Sequence, residues 1–346
     1  MKNNTNILVV RYGTVGDTVL ASAVFRELRN TFPNAQIDAL VDNIAEGVLA
    51  NCPYIDNLQK IQGKYKNILS YFKLFRKYTT VYFLKSDSFF SKVAFLSGVK
   101  NRIGFTRTEY DISKNHLLTK EIPSSENRHV ADCFLDMLEL TNINIQNRDT
   151  EAWTNKEDDN TIEKFLNSYK EKTVLIQAYS RMPEKNWLDE YWVQVIEYLS
   201  NELGAVVFLS GGAKDYTKYE ELTKKLNNCA IKPINISGKF SISQTTSLIK
   251  KVDMIIGIDS GLIHIAAAFK KDSILLNGNT SLKRWQPRNE NCKIVTKNFP
   301  CSPCCINIYA PKLCKNKIAE CMKALVPQMV IEQINSISEK QKFTKV

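Results

Sequence analysis

At 346 residues the chain is too long for one typical domain and suits two. Its 44% hydrophobic and 24% charged content is that of a globular protein, not of a disordered or fibrous one, and no apolar run reaches the roughly 18 residues that span a bilayer. A net charge of +11 turns the surface toward polyanions or phosphorylated substrates. No arginine-rich arm and no recognisable nucleic-acid module accompany it, so nucleic acid is not an expected partner. The opening Met1 to Gly13 has one lysine and a very short apolar run, without a signal-peptide core or cleavage site, so the expected place is the cytoplasm.

Strands and helices alternate along the chain. Ile7 to Arg11 predicts a strand, and Thr18 to Asn30 a helix with Leu20, Val24, Phe25 and Leu28 on one stripe. Gln36 to Val41 is the next strand, and Ile44 to Asn51 a short helix stopped near Cys52-Pro53. Val81 to Leu84 predicts a strand, Ser91 to Ser97 a helix, Arg102 to Phe105 a strand and Val130 to Leu140 an amphipathic helix. The polar stretch Asn142 to Asn160 reads as a linker. The rhythm then restarts: strand Thr173 to Gln177, helix Leu188 to Glu202, strand Ala205 to Leu209, helix Tyr216 to Leu226, helix Ser243 to Lys250 and strand Met254 to Ile258. A helix follows Gly261, then strand Ser273 to Leu276, and helical periodicity over Ile318 to Ile337 with Pro327 as a start or a kink. Such alternation implies an α/β fold of parallel sheets covered by helices. Two sets around a polar linker imply two Rossmann-like domains, 1–168 and 169–346, with ligands at the carboxyl ends of the strands and in the cleft between the domains. The terminal helix of the second is expected to pack back on the first.

Three loops carry candidate chemistry. Met254 to Ile258 ends in Asp259-Ser260-Gly261, and a helical stretch with His264 follows. Ser or Asp at such a turn can cap the helix; the same amides can instead hold a phosphate, with Gly261 allowing close approach. The loop Gly13-Thr14-Val15-Gly16-Asp17 has G-x-x-G followed by an acid, not the dinucleotide pattern G-x-G-x-x-G. A carboxylate there repels a pyrophosphate by about 1–4 kcal/mol. Asp17 therefore reads either as a helix cap or as a proton acceptor for an attacking hydroxyl. In the loop Tyr179 to Trp187, Arg181 and Lys185 suit a phosphate partner, and Trp187 is expected to pack under the next helix. Cys301, Cys304, Cys305, Cys314 and Cys321 lie close in sequence. They read as reduced thiols packed in a loop, with a structural metal as the alternative.

With these residues on view, the chain resembles glycosyltransferase family 9, the bacterial heptosyltransferases that use ADP-heptose to build the lipopolysaccharide inner core. The resemblance rests on Arg11 to Asp17, Arg102-Ile103-Gly104-Phe105, His129-Val130-Ala131-Asp132, Ser180 to Trp187, Gly257 to His264, Trp285-Gln286-Pro287 and the segment ending Cys321-Met322. Ser260 stands where Thr is frequent, and Asn277-Gly278-Asn279 where Phe-Gly is frequent. The resemblance implies a GT-B fold and inverting transfer with no metal and no cofactor. The first domain is then expected to bind the acceptor, through Gly13, Thr14, Gly16 and Arg102, with Asp17 as general base. The second is expected to bind the nucleotide-sugar through Ser180, Arg181, Lys185, Asp259, Ser260, Gly261 and His264, with Lys185 also serving catalysis against the departing diphosphate. Implied partners are ADP-heptose, a phosphorylated lipid-linked sugar acceptor and the inner face of the cytoplasmic membrane, where the enzyme would be peripheral; the alternatives are another nucleotide-sugar donor or a capsule or glycan acceptor on the same fold and, outside the class, a nucleotide-binding Rossmann oxidoreductase.

Overall fold

The computed structural model describes residues 5–63, 67–106, 117–123, 127–304, 314 and 319–343. The chain divides into two compact units, Met1–Trp153 and Thr154–Val346. The first unit runs β1 (Asn6–Val10), α1 (Val15–Leu20), α2 (Ser22–Thr31), β2 (Gln36–Val41), α3 (Asn43–Leu49), β3 (Asn57–Lys60), α4 (Ile68–Phe75), β4 (Thr80–Phe83), α5 (Ser88–Leu96), β5 (Asn101–Phe105), β6 (Lys120–Ile122) and α6 (Val130–Glu139). Its six strands are parallel in the order β3-β2-β1-β4-β5-β6. Ile7, Leu8, Val9 and Val10 of central β1 are all buried, which is why that strand reads as a continuous apolar run. Strand order reverses between β1 and β4, where Val10 pairs with Phe83. Open α/β sheets take ligands at such a point, where the loops leave the strand ends in opposite directions.

The second unit holds α7 (Lys156–Leu166), β7 (Thr173–Gln177), α8 (Asp189–Asn201), β8 (Val206–Leu209), α9 (Tyr216–Lys224), β9 (Ile234–Asn235), α10 (Ile242–Lys251), β10 (Met254–Ile258), α11 (Gly261–Ala268), β11 (Ser273–Asn277), α12 (Leu282–Trp285), β12 (Cys292–Thr296), α13 (Glu320–Lys323) and α14 (Pro327–Phe343). Its strands are parallel in the order β12-β11-β10-β7-β8-β9. Read from the other edge, that is the winding of the first unit. Its order reverses between β7 and β10, where Gly257 pairs with Gln177.

Several expected boundaries move. The single helix expected over Thr18 to Asn30 starts earlier and is divided at Ala21 into α1 and α2. Pro327 is a helix start: it opens α14, where its missing N–H is harmless. Ile318, in the expected helix, lies outside the described residues. The units part at 153/154 rather than 168/169. The acids of the supposed linker are the first turn of α7, and lysines of α10 meet that helix, Lys250 at 3.2 Å from Asp159 and Lys251 at 2.6 Å from Glu163. Terminal α14 packs on α8 in its own unit: Val330, Ile334 and Ile337 share a core with Trp192, Val195 and Leu199. No helix among the described residues is long and apolar enough to cross a membrane.

Candidate functional site

In the first unit the crevice at the ends of β1 and β4 is a cluster of charges. Gly13 leaves β1 with φ +122°, a conformation glycine adopts without strain, and its N–H donates to Asp42 Oδ2 at 3.0 Å. Thr14, not Asp17, caps α1: its Oγ1 accepts from the Asp17 N–H at 3.3 Å. The Thr14 hydroxyl donates to Asp17 Oδ2 at 2.7 Å, and Arg11 Nη2 lies 3.1 Å from the same oxygen. Both contacts fall on Oδ2 of this largely buried carboxylate. Lys85, just past β4, lies over the Tyr12 ring at 4.3 Å. Burial and then the charge of Arg11 hold its amine below the ordinary lysine value, while Asp17, Asp42 and Asp87 pull it back up. Asp87 caps α5, accepting from the Phe89 and Phe90 N–H groups at 2.8 and 3.0 Å, and takes a hydrogen bond from the Tyr12 hydroxyl.

The second unit's crevice lies at the ends of β7 and β10. Lys185 ends a short turn, Pro183–Lys185, and its Nζ meets Asp259 Oδ2 at 2.5 Å. His264, in the second turn of α11, places Nε2 4.0 Å from Asp259 Oδ1. Burial alone raises the Asp259 carboxyl. The charges of Lys185 and His264, with hydrogen bonds from Lys185 and Thr280, outweigh burial and hold it below the usual carboxylate value. Ser260 stands at the N-cap of α11 but does not cap it; its hydroxyl donates to Gln177 Oε1 instead. The first amides of α11 thus face the crevice without a side-chain acceptor, at the positive end of the helix dipole. Across the next turn, Gly278 approaches α13 so closely that a Cβ there would lie 2.6 Å from Met322 Sδ and 2.9 Å from Cys321 Sγ.

Most of the predicted residues gather in these two places. Gly13, Thr14, Gly16 and Asp17 share the first crevice; Lys185, Asp259, Ser260, Gly261 and His264 share the second. Ser180 is taken up in shaping its own loop, its N–H donating to Asn186 Oδ1 at 2.8 Å and its Oγ accepting from the Met182 N–H at 3.0 Å. Arg181 is exposed on that loop. Trp187 packs under α8 as expected, 5.0 Å from the Trp192 ring. Arg102 is not with the Gly13 loop. It lies near the amino end of β5, level with Leu8 rather than Val10, and its guanidinium donates to the carbonyls of Val99 and Leu117. Sequence reading gave no role to Arg11, Asp42, Lys85, Asp87, Gln177 or Thr280. Their common signal is a polar side chain within a few residues of a strand's carboxyl end.

Among the described residues no group of three or more His, Cys, Asp or Glu is arranged to hold a metal. Cys301, Cys304, Cys314 and Cys321 are free thiols, and Cys305 lies outside the described residues. Burial, then the neighbouring Cys304, with smaller effects of Cys301 and Cys314, pushes the Cys321 thiol up to about 11.

The model of glycosyltransferase family 9 (heptosyltransferase) matches residues 72–310. Lipopolysaccharide core heptosyltransferase OpsX of Haemophilus influenzae is 27% identical over 295 residues, which cover 84% of each chain. The solved E. coli ADP-heptose lipopolysaccharide heptosyltransferase II superposes with a TM-score of 0.80 at 19% identity, over 98% of this chain and 100% of its own. E. coli heptosyltransferase WaaC, solved with ADP, superposes with a TM-score of 0.70 at 13% identity, over 96% and 100%. These structural likenesses match the two parallel sheets to the GT-B fold. With well over half of its length inside the family model, the chain belongs to glycosyltransferase family 9, the heptosyltransferases.

Proposed function

We propose that the protein transfers a heptose from ADP-heptose to a sugar of the lipopolysaccharide inner core, inverting the anomeric centre in one displacement and without a metal. An acceptor hydroxyl held at the first unit's crevice attacks the anomeric carbon of the donor held by the second. The new C–O bond forms as the bond to the β-phosphate breaks; Asp17 takes the hydroxyl proton, and ADP leaves with the bonding electrons. Lys185 and the amides of Ser260 and Gly261 meet the negative charge that develops on the diphosphate. Asp259 and His264 hold the Lys185 ammonium and the α11 turn in place for that contact. Lys85 and Arg11 suit a phosphate on the acceptor, Arg11 Nε having no hydrogen-bond partner among the described residues. Such an acceptor is lipid-linked, which makes the enzyme peripheral at the cytoplasmic face of the inner membrane.

The observation that carries the donor side is the convergence of Lys185 with the uncapped start of α11 at the β7/β10 crevice. Thermal unfolding with ADP, UDP, GDP and CMP tests it. A nucleotide at about 100 times its dissociation constant adds roughly 2.7 kcal/mol to the native state. The expected result is a rise of several degrees with ADP that the other nucleotides do not match. A rise with UDP or GDP and none with ADP refutes the donor assignment.

A further inference from the structure

The crevices leave unexplained where the positive charge of this chain is concentrated. Between Asn57 and Arg102 the sequence carries ten Lys and Arg residues and a single acid, Asp87, which is buried at its helix cap. Much of that segment forms α4 and α5, which pack side by side through an aromatic ladder: Tyr71 lies 5.2 Å from Phe90, and Phe75 stacks on Phe90 at 6.1 Å. That ladder is the core side of both helices.

Their outer sides follow one period. The exposed positions along α4 and its C-cap include Leu69, Lys73 and the cap residue Arg76, at spacings of four and three, with Lys77 next. In α5 they include Ser88, Lys92, Phe95 and Leu96. Leu69 is 73% exposed and Leu96 64% exposed. Among the described residues no carboxylate pairs with Lys73, Arg76, Lys77, Lys92 or Lys100, whereas Arg29, Lys60 and Arg148 of the same unit each pair with one. Exposed aliphatic and aromatic side chains interleaved with unpaired cations, on two helices locked to one sheet face, match a surface that is anionic above and apolar beneath. A nucleic-acid backbone supplies the anions but nothing to receive Leu69 and Leu96.

We infer that the outer face of α4 and α5 docks on an anionic phospholipid bilayer, with Lys73, Arg76, Lys77 and Lys92 at the headgroups and Leu69, Phe95 and Leu96 entering the acyl boundary. The inference rests on the reading of a lipid-linked acceptor and names the surface that brings the enzyme to it. Each basic residue near an anionic leaflet contributes about a fivefold factor in binding.

Co-sedimentation of the full chain with vesicles tests it. Wild type binds vesicles of phosphatidylethanolamine and phosphatidylglycerol more tightly than phosphatidylcholine alone, and about 1 M salt, with a Debye length near 3 Å, removes most of the difference. The variant Lys73→Gln/Arg76→Gln/Lys77→Gln binds on the order of 100-fold more weakly. Leu69→Ser/Leu96→Ser binds more weakly at every salt concentration. Both variants keep the wild-type melting temperature and the wild-type rate on a lipid-free acceptor sugar. Wild type that ignores phosphatidylglycerol, or variants that bind as wild type does, overturn the inference. So does a wild-type dimer that Leu69→Ser/Leu96→Ser makes monomeric without change in vesicle binding. Vesicle binding as described with no transfer to any acceptor would leave the docking face standing and sink the transferase reading.

Discussion

The pair Lys185–Asp259 is the sharpest test of how the second crevice is held ready. At 2.5 Å, with side chains only 15% and 12% exposed, its gross Coulomb attraction is about 6–7 kcal/mol at an effective dielectric near 20. Desolvation of both ions offsets most of that, so the pair as a whole adds little. Removing one partner is different, because the other stays buried and uncompensated, at a loss of about 3–5 kcal/mol. Asp259→Asn keeps the shape and an acceptor but removes the charge, and it should lower the second unit's melting temperature by about 6–20 °C. Lys185→Met should act in the same range. The double variant should lose far less than the two losses added, a coupling of about 2 kcal/mol or more. The pH dependence has a definite sign. Asp259 titrates below the ordinary carboxylate value, so its contribution is full above the unfolded value near 4 and fades as the pH falls through its folded value. The gap between wild type and Asp259→Asn should therefore be constant at neutral pH and close under acid, as read by calorimetry over a pH series. Additive losses in the double variant, or a gap that persists in acid, would show that the two charges do not act as a pair.

Two other substitutions separate chemistry from packing. Asp17→Asn should lower turnover about 10²–10⁴-fold at saturating donor and leave ADP binding at the wild-type level; turnover close to wild type would remove Asp17 from the base role. Gly278→Ala forces a methyl against the buried Met322 and Cys321. It should destabilise the second unit by about 1–3 kcal/mol, and an unchanged melting temperature would refute the close approach.

The double winding was legible because its central strands are buried on both faces and leave unbroken aliphatic runs: Thr173 to Gln177 and Met254 to Ile258 fall where they were expected. The strands that escaped notice are β3, β6, β9 and β12, all peripheral in their sheets. An edge strand has one neighbour and a partly wet face, so β3, Asn57-Leu58-Gln59-Lys60, carries no apolar signature. Helix α7 was hidden by the acids of its own first turn, which read as linker polarity until Lys250 and Ser243 of α10 met Asp159 and Asp158. At the sites, loop residues on a recognisable motif could be picked out, but their partners could not. Nothing local ties Lys185 to Asp259, 74 positions away, or Ser260 to Gln177, 83 positions away. Arg102 is the opposite case: it lies in a matching motif, yet the strand register sets it two residues below the crevice, and its guanidinium turns to backbone carbonyls.

One topology built twice has its helix ends finished differently at the two crevices. Around the first crevice, α1, α3 and α5 all begin at β1 or β4 or the strand beside them, and each has one or two of its orphan amides taken by a side chain, from Thr14, Asp42 and Asp87 respectively. Each cap is worth about 1 kcal/mol and leaves fewer free donors for a phosphate. What remains is a carboxylate, Asp17, pinned through one oxygen. At the second crevice Ser260 could cap α11 in the same way, but its hydroxyl is drawn off to Gln177. The stability of that cap is forgone, and the α11 amides are left facing the crevice beside Lys185. A helix end left uncapped at the switch point of one sheet, against three capped ends at the other, supports assigning the anionic donor to the second unit and proton removal to the first.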